Sequence, residues 1–369
     1  MNRGMKRVLL GSTAIVGLGL LLPAPVFAAE PVSLSLGGNV TFEAWIVDQD
    51  DTTDRGRGYF LETDDANLNW TAKGEADNGL KYTGQLELEM DSGDGDAGID
   101  EIWIRFQGAW GQIEIGDQDG AEDVMLHDGT AALLATGQHD GGAGSVFNFE
   151  GASITSPDLV GDTGDDTKIS YFTPRINSVQ LGVSFTPDSN QNFNATLADG
   201  AANSFEESIG FGINVVTSFD DVNVNLAWVA VISDDQAGDR VGHESWALGG
   251  NISFGGFVIG ASHADMGNSG LTSAAEGAGS DAGEYWEIGA SYSAGDYGVA
   301  VGYFHGEASN AAGTTDDEVD FFSLAATYNV APGLRIYAEF DDIDVDQPGT
   351  GAGNDNDGQL FMIGTNFSF

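Results

Sequence analysis

Carboxylates dominate the side chains of this sequence that could do chemistry. Asp and Glu number 58, against 12 Lys and Arg, five His and no Cys. The histidines are dispersed and form no HExxH pair for zinc, and no GxSxG sequence marks a nucleophilic serine. The absence of Cys excludes a thiolate metal site. We therefore predict that the protein is not an enzyme and requires no cofactor.

Calcium is the metal that such a chain could hold, through oxygen ligands. Asp342–Asp346 begins like an EF-hand loop, but Gln347 and Gly353 stand where that loop needs Gly and Glu. Looser acidic clusters offer a candidate structural Ca²⁺ site at Asp158, Asp162, Asp165 and Asp166. A generally acidic, salt-adapted surface explains the same residues. Both interpretations stay open.

The charge balance limits the partners of the protein. The formal net charge is −46 at pH 7, which excludes nucleic acid because phosphate binding needs clustered Lys and Arg. At the same time 41% of residues are hydrophobic, too many for a disordered acidic chain. The sequence therefore predicts a folded protein.

The first residues have the features of an export signal. Arg3, Lys6 and Arg7 precede an apolar stretch, and Val26 and Ala28 are small residues at the −3 and −1 positions of a cleavage site. An N-terminal membrane anchor is the alternative, but the apolar run is short. We predict a signal peptide over 1–28 and a mature chain over 29–369 with a net charge of about −49.

After the signal, hydrophobic side chains recur with a period of two. No stretch approaches the ~18 consecutive apolar residues of a membrane helix. Large apolar residues occupy one face of each segment, and Gly, Ser, Asn or charged residues the other. We predict sixteen strands, at 34–47, 65–75, 80–91, 99–109, 111–118, 167–173, 179–187, 206–219, 222–232, 244–254, 257–265, 284–294, 297–306, 318–330, 334–343 and 358–369.

The connections between these strands alternate between short and long, as in an up-and-down sheet with tight turns at one rim. A secreted β-sandwich is the alternative, but its outer face is normally rich in Thr, Lys and Glu. Aromatic residues also gather on the apolar face beside the short turns, which is typical of a membrane-interface girdle. They are Tyr82, Trp110, Phe219, Phe254, Phe257, Tyr292, Tyr297 and Tyr328. The sequence therefore favours a transmembrane β-barrel in contact with lipid.

Four segments resemble a known family. They are the start of the mature chain at 33–38, the hairpin at 73–81, the strand at 110–118 and the C-terminal segment 361–369, which ends in Phe369. In this order they are similar to the general diffusion porins of the Gram-negative outer membrane, nearest the acidic alphaproteobacterial type. The resemblance implies a 16-stranded antiparallel barrel, a homotrimer, and recognition of Phe369 by the barrel-assembly machinery.

The resemblance also gives a role to residues 119–166, here called the long loop, which contain no convincing strand pair. In porins the third external loop folds inward and narrows the lumen, so these residues are predicted to form the constriction loop. A solvated surface loop is the alternative. The predicted constriction carboxylates of the long loop are Glu122, Asp123, Asp128, Asp140 and Glu150.

The opposing pore wall follows from strand parity, because side chains opposite the apolar face must point into the lumen. Lys73 and Lys81 have a second interpretation, since they flank a periplasmic turn near the membrane surface. The predicted wall residues are Lys73, Lys81, Arg105, Glu87, Glu89 and Glu101. We expect passive diffusion of small hydrophilic solutes with cation selectivity. The alternatives are a secreted soluble binding protein and a substrate-specific outer-membrane channel.

Overall fold

The computed structural model describes residues 30–50, 57–90, 98–134, 142–189, 191, 205–309, 316–347 and 355–369. The predicted signal peptide, 1–28, lies outside the described residues, and so does the predicted constriction residue Asp140. Neither helix found in the described ranges is long and apolar enough to cross a membrane.

Sixteen antiparallel strands form one closed barrel, in which each strand pairs with its neighbours in sequence and the last pairs with the first. The strands are β1 (Glu30–Gln49), β2 (Tyr59–Glu75), β3 (Lys81–Glu89), β4 (Gly98–Gly108), β5 (Gly111–Asp117), β6 (Thr167–Phe172), β7 (Val179–Asp188), β8 (Phe205–Phe219), β9 (Val222–Asp235), β10 (Glu244–Phe254), β11 (Phe257–Asp265), β12 (Glu284–Ala294), β13 (Tyr297–Ser309), β14 (Asp316–Ala331), β15 (Leu334–Asp346) and β16 (Asn356–Ser368). Two short helices, α1 (Ala121–Val124) and α2 (Ser273–Ala278), lie in long connections. The prediction of a sixteen-stranded antiparallel barrel is confirmed.

Several strands extend beyond the predicted segments, mostly at the end that faces the long connections. β2 begins at Tyr59 rather than at residue 65, and β15 continues to Asp346 rather than to residue 343. Apolar alternation marks a strand only where one of its faces meets lipid. In β15 the added outward residues Asp344 and Asp346 are acidic, so the hydrophobic pattern ends before the backbone ladder does. In β2 the added outward residues Tyr59 and Leu61 are apolar and exposed, so the apolar face there extends further than the predicted segment.

The outward faces of the strands are apolar and exposed, whereas the opposite faces are largely buried inside the barrel. Along β14, Leu324 is 46% exposed while its neighbour Ser323 is 3% exposed. A closed ladder leaves no unpaired strand edge, which is the condition for a β-structure to cross a bilayer.

Aromatic residues ring the barrel at both ends of this apolar wall. Beside the short turns, the Phe257 ring lies 4.5 Å from that of Tyr292 and 5.6 Å from that of Phe254. At the opposite end, the Trp286 ring lies 5.1 Å from that of Tyr303. The sequence indicated only the first of these two girdles, which together bound the lipid-facing band.

Beyond the second girdle, the outward face of β13–β16 carries rows of carboxylates. Asp320 pairs across the ladder with Asp344, which in turn pairs with Asp357. One step further from the bilayer, Glu318 pairs with Glu307 on one side and Asp346 on the other. Like charges placed directly opposite one another destabilise a sheet. Asp320 is partly compensated, because it accepts from the Tyr303 hydroxyl at 2.5 Å and lies 2.8 Å from Nδ1 of His305, and the repulsion that remains is reduced by salt.

The inner wall holds an apolar cluster that the sequence did not predict. The sequence singled out a girdle of aromatic residues on the lipid side, but Tyr285, Phe304 and Phe321 point inward and are fully buried. They belong to one cluster with Phe147 and Ile154 of the long loop. The loop therefore packs on the barrel wall through hydrophobic contact as well as through hydrogen bonds.

The faces of the barrel can be tested with one lysine on each. Leu324→Lys puts a charge in the middle of the lipid-facing wall and should lower the free energy of unfolding by about 2–4 kcal/mol. Gln85→Lys, on the inner face beside Glu101, should change it by less than about 1 kcal/mol. Urea unfolding in lipid vesicles measures both values, and equal losses would contradict the assignment of faces.

Candidate functional site

The long loop is attached to the wall at its start through a buried carboxylate. Glu122, in α1, is 1% exposed and accepts hydrogen bonds from the hydroxyls of Ser184 on β7, at 2.9 Å, and Thr163, at 3.2 Å. The backbone N–H of Ala121 also donates to the Ser184 hydroxyl. Glu122 was predicted as a charge of the constriction, but its burial makes it an anchor of the loop.

The middle of the loop is held on the opposite wall by a second carboxylate. Glu287 on β12 is 2% exposed, and its Oε1 accepts from the backbone N–H of Gly129 and from the hydroxyl of Ser262, both at 2.7 Å. Further along, the Arg335 guanidinium of β15 donates to the carbonyl of Leu134 at 3.1 Å. Asp128 bonds within the loop, accepting from the Thr130 hydroxyl at 2.5 Å.

The later part of the loop reaches the strands where the barrel closes. The side-chain amide of Gln49 on β1 donates to the carbonyl of Val146 at 3.2 Å and accepts from the backbone N–H of Asn148 at 2.9 Å. Asn356 on β16 donates to the Asn148 carbonyl at 2.7 Å. The Asn148 side chain donates to Glu150, which has a positive φ of 53°. Glu150 therefore lies near β1 and β16, far in sequence from both.

The loop lies close against the wall because the strands beneath it carry glycine. A methyl group on Gly249 of β10 would lie 2.3 Å from the carbonyl oxygen of His127, closer than any real contact allows. Similar collisions occur at Gly210, Gly260, Gly289 and Gly298, with Glu122, Asp128, Gly129 and Leu134 respectively. We call these five positions the glycine track. Isolated glycines in strands signal such close approaches, although the sequence does not show what approaches.

Arg105, one of the predicted wall cations, forms an ion pair with Glu114. Its Nε lies 2.5 Å from Oε1 of Glu114 on β5, and its guanidinium stacks over the Trp103 ring at 4.6 Å. Glu101 accepts from the indole N–H of Trp103 at 3.0 Å and from the Gln85 amide at 3.3 Å. These residues form a connected polar strip on β3–β5.

The other predicted wall residues spread along β2 and β3. Lys73 and Lys81 are exposed and flank the turn at 76–80, at the short-turn rim. This position agrees with the turn-flanking interpretation. Glu87 and Glu89 are half-buried, towards the opposite end of β3. The structure therefore links Arg105 and Glu101 through the Trp103 side chain but does not gather all six wall residues at one level.

Several carboxylates of the long loop remain together on its inner side. Glu122, Asp123, Asp128, Asp158 and Asp162 line a cavity of about 190 Å³, whose lining includes no Lys or Arg among the described residues. In the described ranges, no group of three or more His, Cys, Asp or Glu side chains is arranged to hold a metal ion. The calcium site at Asp158, Asp162, Asp165 and Asp166 thus stays a prediction.

Burial, and then repulsion between neighbouring carboxylates, raises the pKa values of acids in the long loop. Withdrawal from bulk water is the largest cause, and repulsion from neighbouring carboxylates adds to it. Together they raise the pKa of Asp123 to about 8, and those of Asp165 and Asp166 to about 7. The pKa of Asp162 rises to about 6, and that of Asp119 is also raised.

A closed barrel with an apolar outer band, two aromatic girdles and a polar inner wall defines a transmembrane channel of the outer-membrane type. Residues 11–348 match the family described as Gram-negative porin. The chain belongs to this family and is a porin of the outer membrane. No curated protein matches the chain.

Solved porin structures share the fold at low sequence identity. The anion-selective porin from Comamonas acidovorans is 16% identical, with a TM-score of 0.64 over 92% of this chain and 100% of that one. The trimer form of OmpT, an outer membrane protein of Vibrio cholerae, is 15% identical, with a TM-score of 0.59 over 92% and 100%. A mutant of the Rh. blastica porin is 15% identical, with a TM-score of 0.58 over 91% and 100%.

The glycine track can be tested by adding a single carbon. Gly249→Ala should push the backbone at His127 away from the wall, lowering the free energy of unfolding by about 1–3 kcal/mol and changing the channel conductance. Gly84→Ala is the control, because its added carbon would have 3.9 Å of space. Bilayer recordings and urea unfolding measure both effects. Identical behaviour of the two variants would contradict a wall-bound loop.

Proposed function

We propose that this porin is a cation-selective general diffusion channel whose lumen is narrowed by the long loop. The observation that carries the proposal is the carboxylate-lined cavity of the loop, which has no basic residue in its described lining. On the polar strip of β3–β5, the charge of Arg105 is offset by Glu114. Carboxylates beside an aqueous path concentrate cations and repel anions when they are ionised.

The range of the field supports this selectivity. The Debye length is about 8 Å at physiological ionic strength, comparable to the width of a narrow pore. The preference should therefore persist in ordinary salt and weaken as salt rises. The anion-selective porin from Comamonas acidovorans has a similar fold, so selectivity must come from the side chains that line the pore rather than from the barrel.

A general rather than substrate-specific pore is supported by the position of the inner aromatics. A specific sugar channel needs exposed aromatic rings along its path. Trp45, Trp103 and Tyr337 face inward, but their exposures are only 2%, 8% and 3%. They pack into the wall or beneath the loop instead of lining an open surface, so hydrophilic solutes would be sorted by size and charge.

The family and fold indicate a channel rather than an enzyme, and further properties follow as proposals. The signal peptide is cleaved after Ala28, and the mature barrel lies in outer-membrane lipid. The chain assembles as a homotrimer, as the trimer form of OmpT does. Phe369 serves as the signal to the assembly machinery. Its backbone exchanges hydrogen bonds with Gly38 at 3.0 and 3.1 Å, so the same residue fastens the seam between β16 and β1.

Selectivity should rise with pH. Asp123, Asp165 and Asp166 have raised pKa values, so they are largely neutral near pH 5 and charged near pH 9. The reversal potential across a KCl gradient should therefore indicate a cation preference that strengthens over that interval. The measurement is a planar-bilayer recording at several pH values, with and without a chelator to detect any bound Ca²⁺.

Two matched sets of variants separate the effect of the loop carboxylates on selectivity from the effect of the total charge. The triple variant D123N, D165N and D166N should lose most of the pH dependence. The double variant D221N and D296N, which removes charge at the short-turn rim, should retain it. Chloride preference both with and without chelator would overturn cation selectivity. An unchanged pH profile in the triple variant would show that the loop carboxylates do not control it.

A further inference from the structure

The two ends of the long loop meet at one buried lysine. Lys168, on β6 directly after the loop, is 2% exposed. Its ammonium group donates to the carbonyl of Gln118, directly before the loop, and to the carbonyl of Gly164 near its end. A third carbonyl, that of Thr163, lies 3.5 Å away. An ammonium has three donors and no acceptor, so this carbonyl cage matches its chemistry.

Lys168 is also isolated among negative charges. It is the only Lys or Arg in the sequence between Arg105 and Arg175. The charges that act on it most strongly are those of Glu122 and Asp162, followed by Asp166 and Asp119. Removal of its charge would leave buried carbonyls without a donor and carboxylates without a nearby counter-charge, and both changes are costly.

The carbonyl cage is continuous with the anchor at the start of the loop. The Thr163 hydroxyl, which donates to Glu122, also accepts from the Thr186 hydroxyl of β7 at 3.2 Å. Glu122 in turn binds Ser184 on the same strand. The first helical turn of the loop, its last residues and the wall are thus joined in one buried network that contains a single cation.

We infer that Lys168 is the positioning residue of the pore: through the carbonyls of Gln118 and Gly164 it clamps both ends of the long loop to β6, while Glu122 holds the start of the loop to β7 through Ser184, and together they fix the width of the constriction. This inference rests on the proposed function, in which the loop narrows the lumen. Lys168 does not act by attracting solutes, because its ammonium group is enclosed by backbone carbonyls and has almost no contact with the aqueous path.

The test is single-channel recording of K168M beside two controls. K168M should spend about tenfold more time in altered conductance levels than the wild type, the factor expected from losing one charged hydrogen bond. K168R retains a donor and should recover most of the quiet wild-type behaviour. K73M removes the same charge from an exposed site at the short-turn rim, so it should leave the time spent in altered conductance levels unchanged.

A disulfide can replace the lost clamp. The hydroxyls of Thr163 and Thr186 are in contact and the sequence has no other Cys, so T163C and T186C can form one defined bond. In the K168M background, oxidation should restore steady conductance and a reductant should remove it again. If K168M acted only by removing a positive charge, this disulfide would not restore steady conductance. If K168M fails to fold, E122Q keeps the side-chain size and should show the same rise in altered levels.

The outcomes distinguish the two claims. A wild-type protein that forms no channel would overturn the proposed function. If the wild type conducts, the clamp is wrong when K168M matches K73M, when E122Q is as quiet as the wild type, or when the disulfide leaves the noise of K168M unchanged. A reversible rescue together with a silent K73M supports it.

Discussion

A bilayer offers no water to hydrogen-bond the backbone, so every strand of this protein must find two neighbours. The pairing of β16 with β1 completes that requirement, and it fixes an even number of strands with both ends of the barrel chain at one rim. Closure also divides the side chains into two populations, one in lipid and one around an enclosed volume. The lipid-facing side tolerates little besides apolar residues. Variation in charge and shape is therefore directed inward and to the rims.

The long loop creates a second problem, because it must be held against the barrel wall. Three devices solve it here. The glycine track lets the loop backbone approach the strands, an apolar cluster around Phe147 removes hydrophobic surface from water, and buried carboxylates such as Glu287 receive backbone N–H groups. Neighbouring acids can therefore differ in role: Glu122 is buried and hydrogen-bonded to β7, whereas Asp123, beside it in sequence and at the same cavity, is exposed. Composition alone gives both groups the same appearance.

The barrel was predictable from the sequence because lipid imposes a period of two on every strand that crosses it. The pattern failed where that constraint ends, at the acidic end of β15. It also failed for Tyr285, Phe304 and Phe321, since a residue that faces inward beneath a loop has the same parity as one that faces open water. Contacts such as Gln49 with Asn148 join residues far apart in sequence, so no local signal could indicate them. Lys168 could be recognised as an isolated base, but its carbonyl cage depends on how the loop returns.

The carboxylate rows on the outward face of β13–β16 have a consequence for where such a barrel can work. The paired carboxylates at this rim repel one another, and the strength of the repulsion depends on the concentration of the surrounding ions. In concentrated salt the repulsion is screened and the strand ends stay paired. At low ionic strength the repulsion is strongest. The strand ends would then separate first at the outer rim, while the strands within the lipid stay paired.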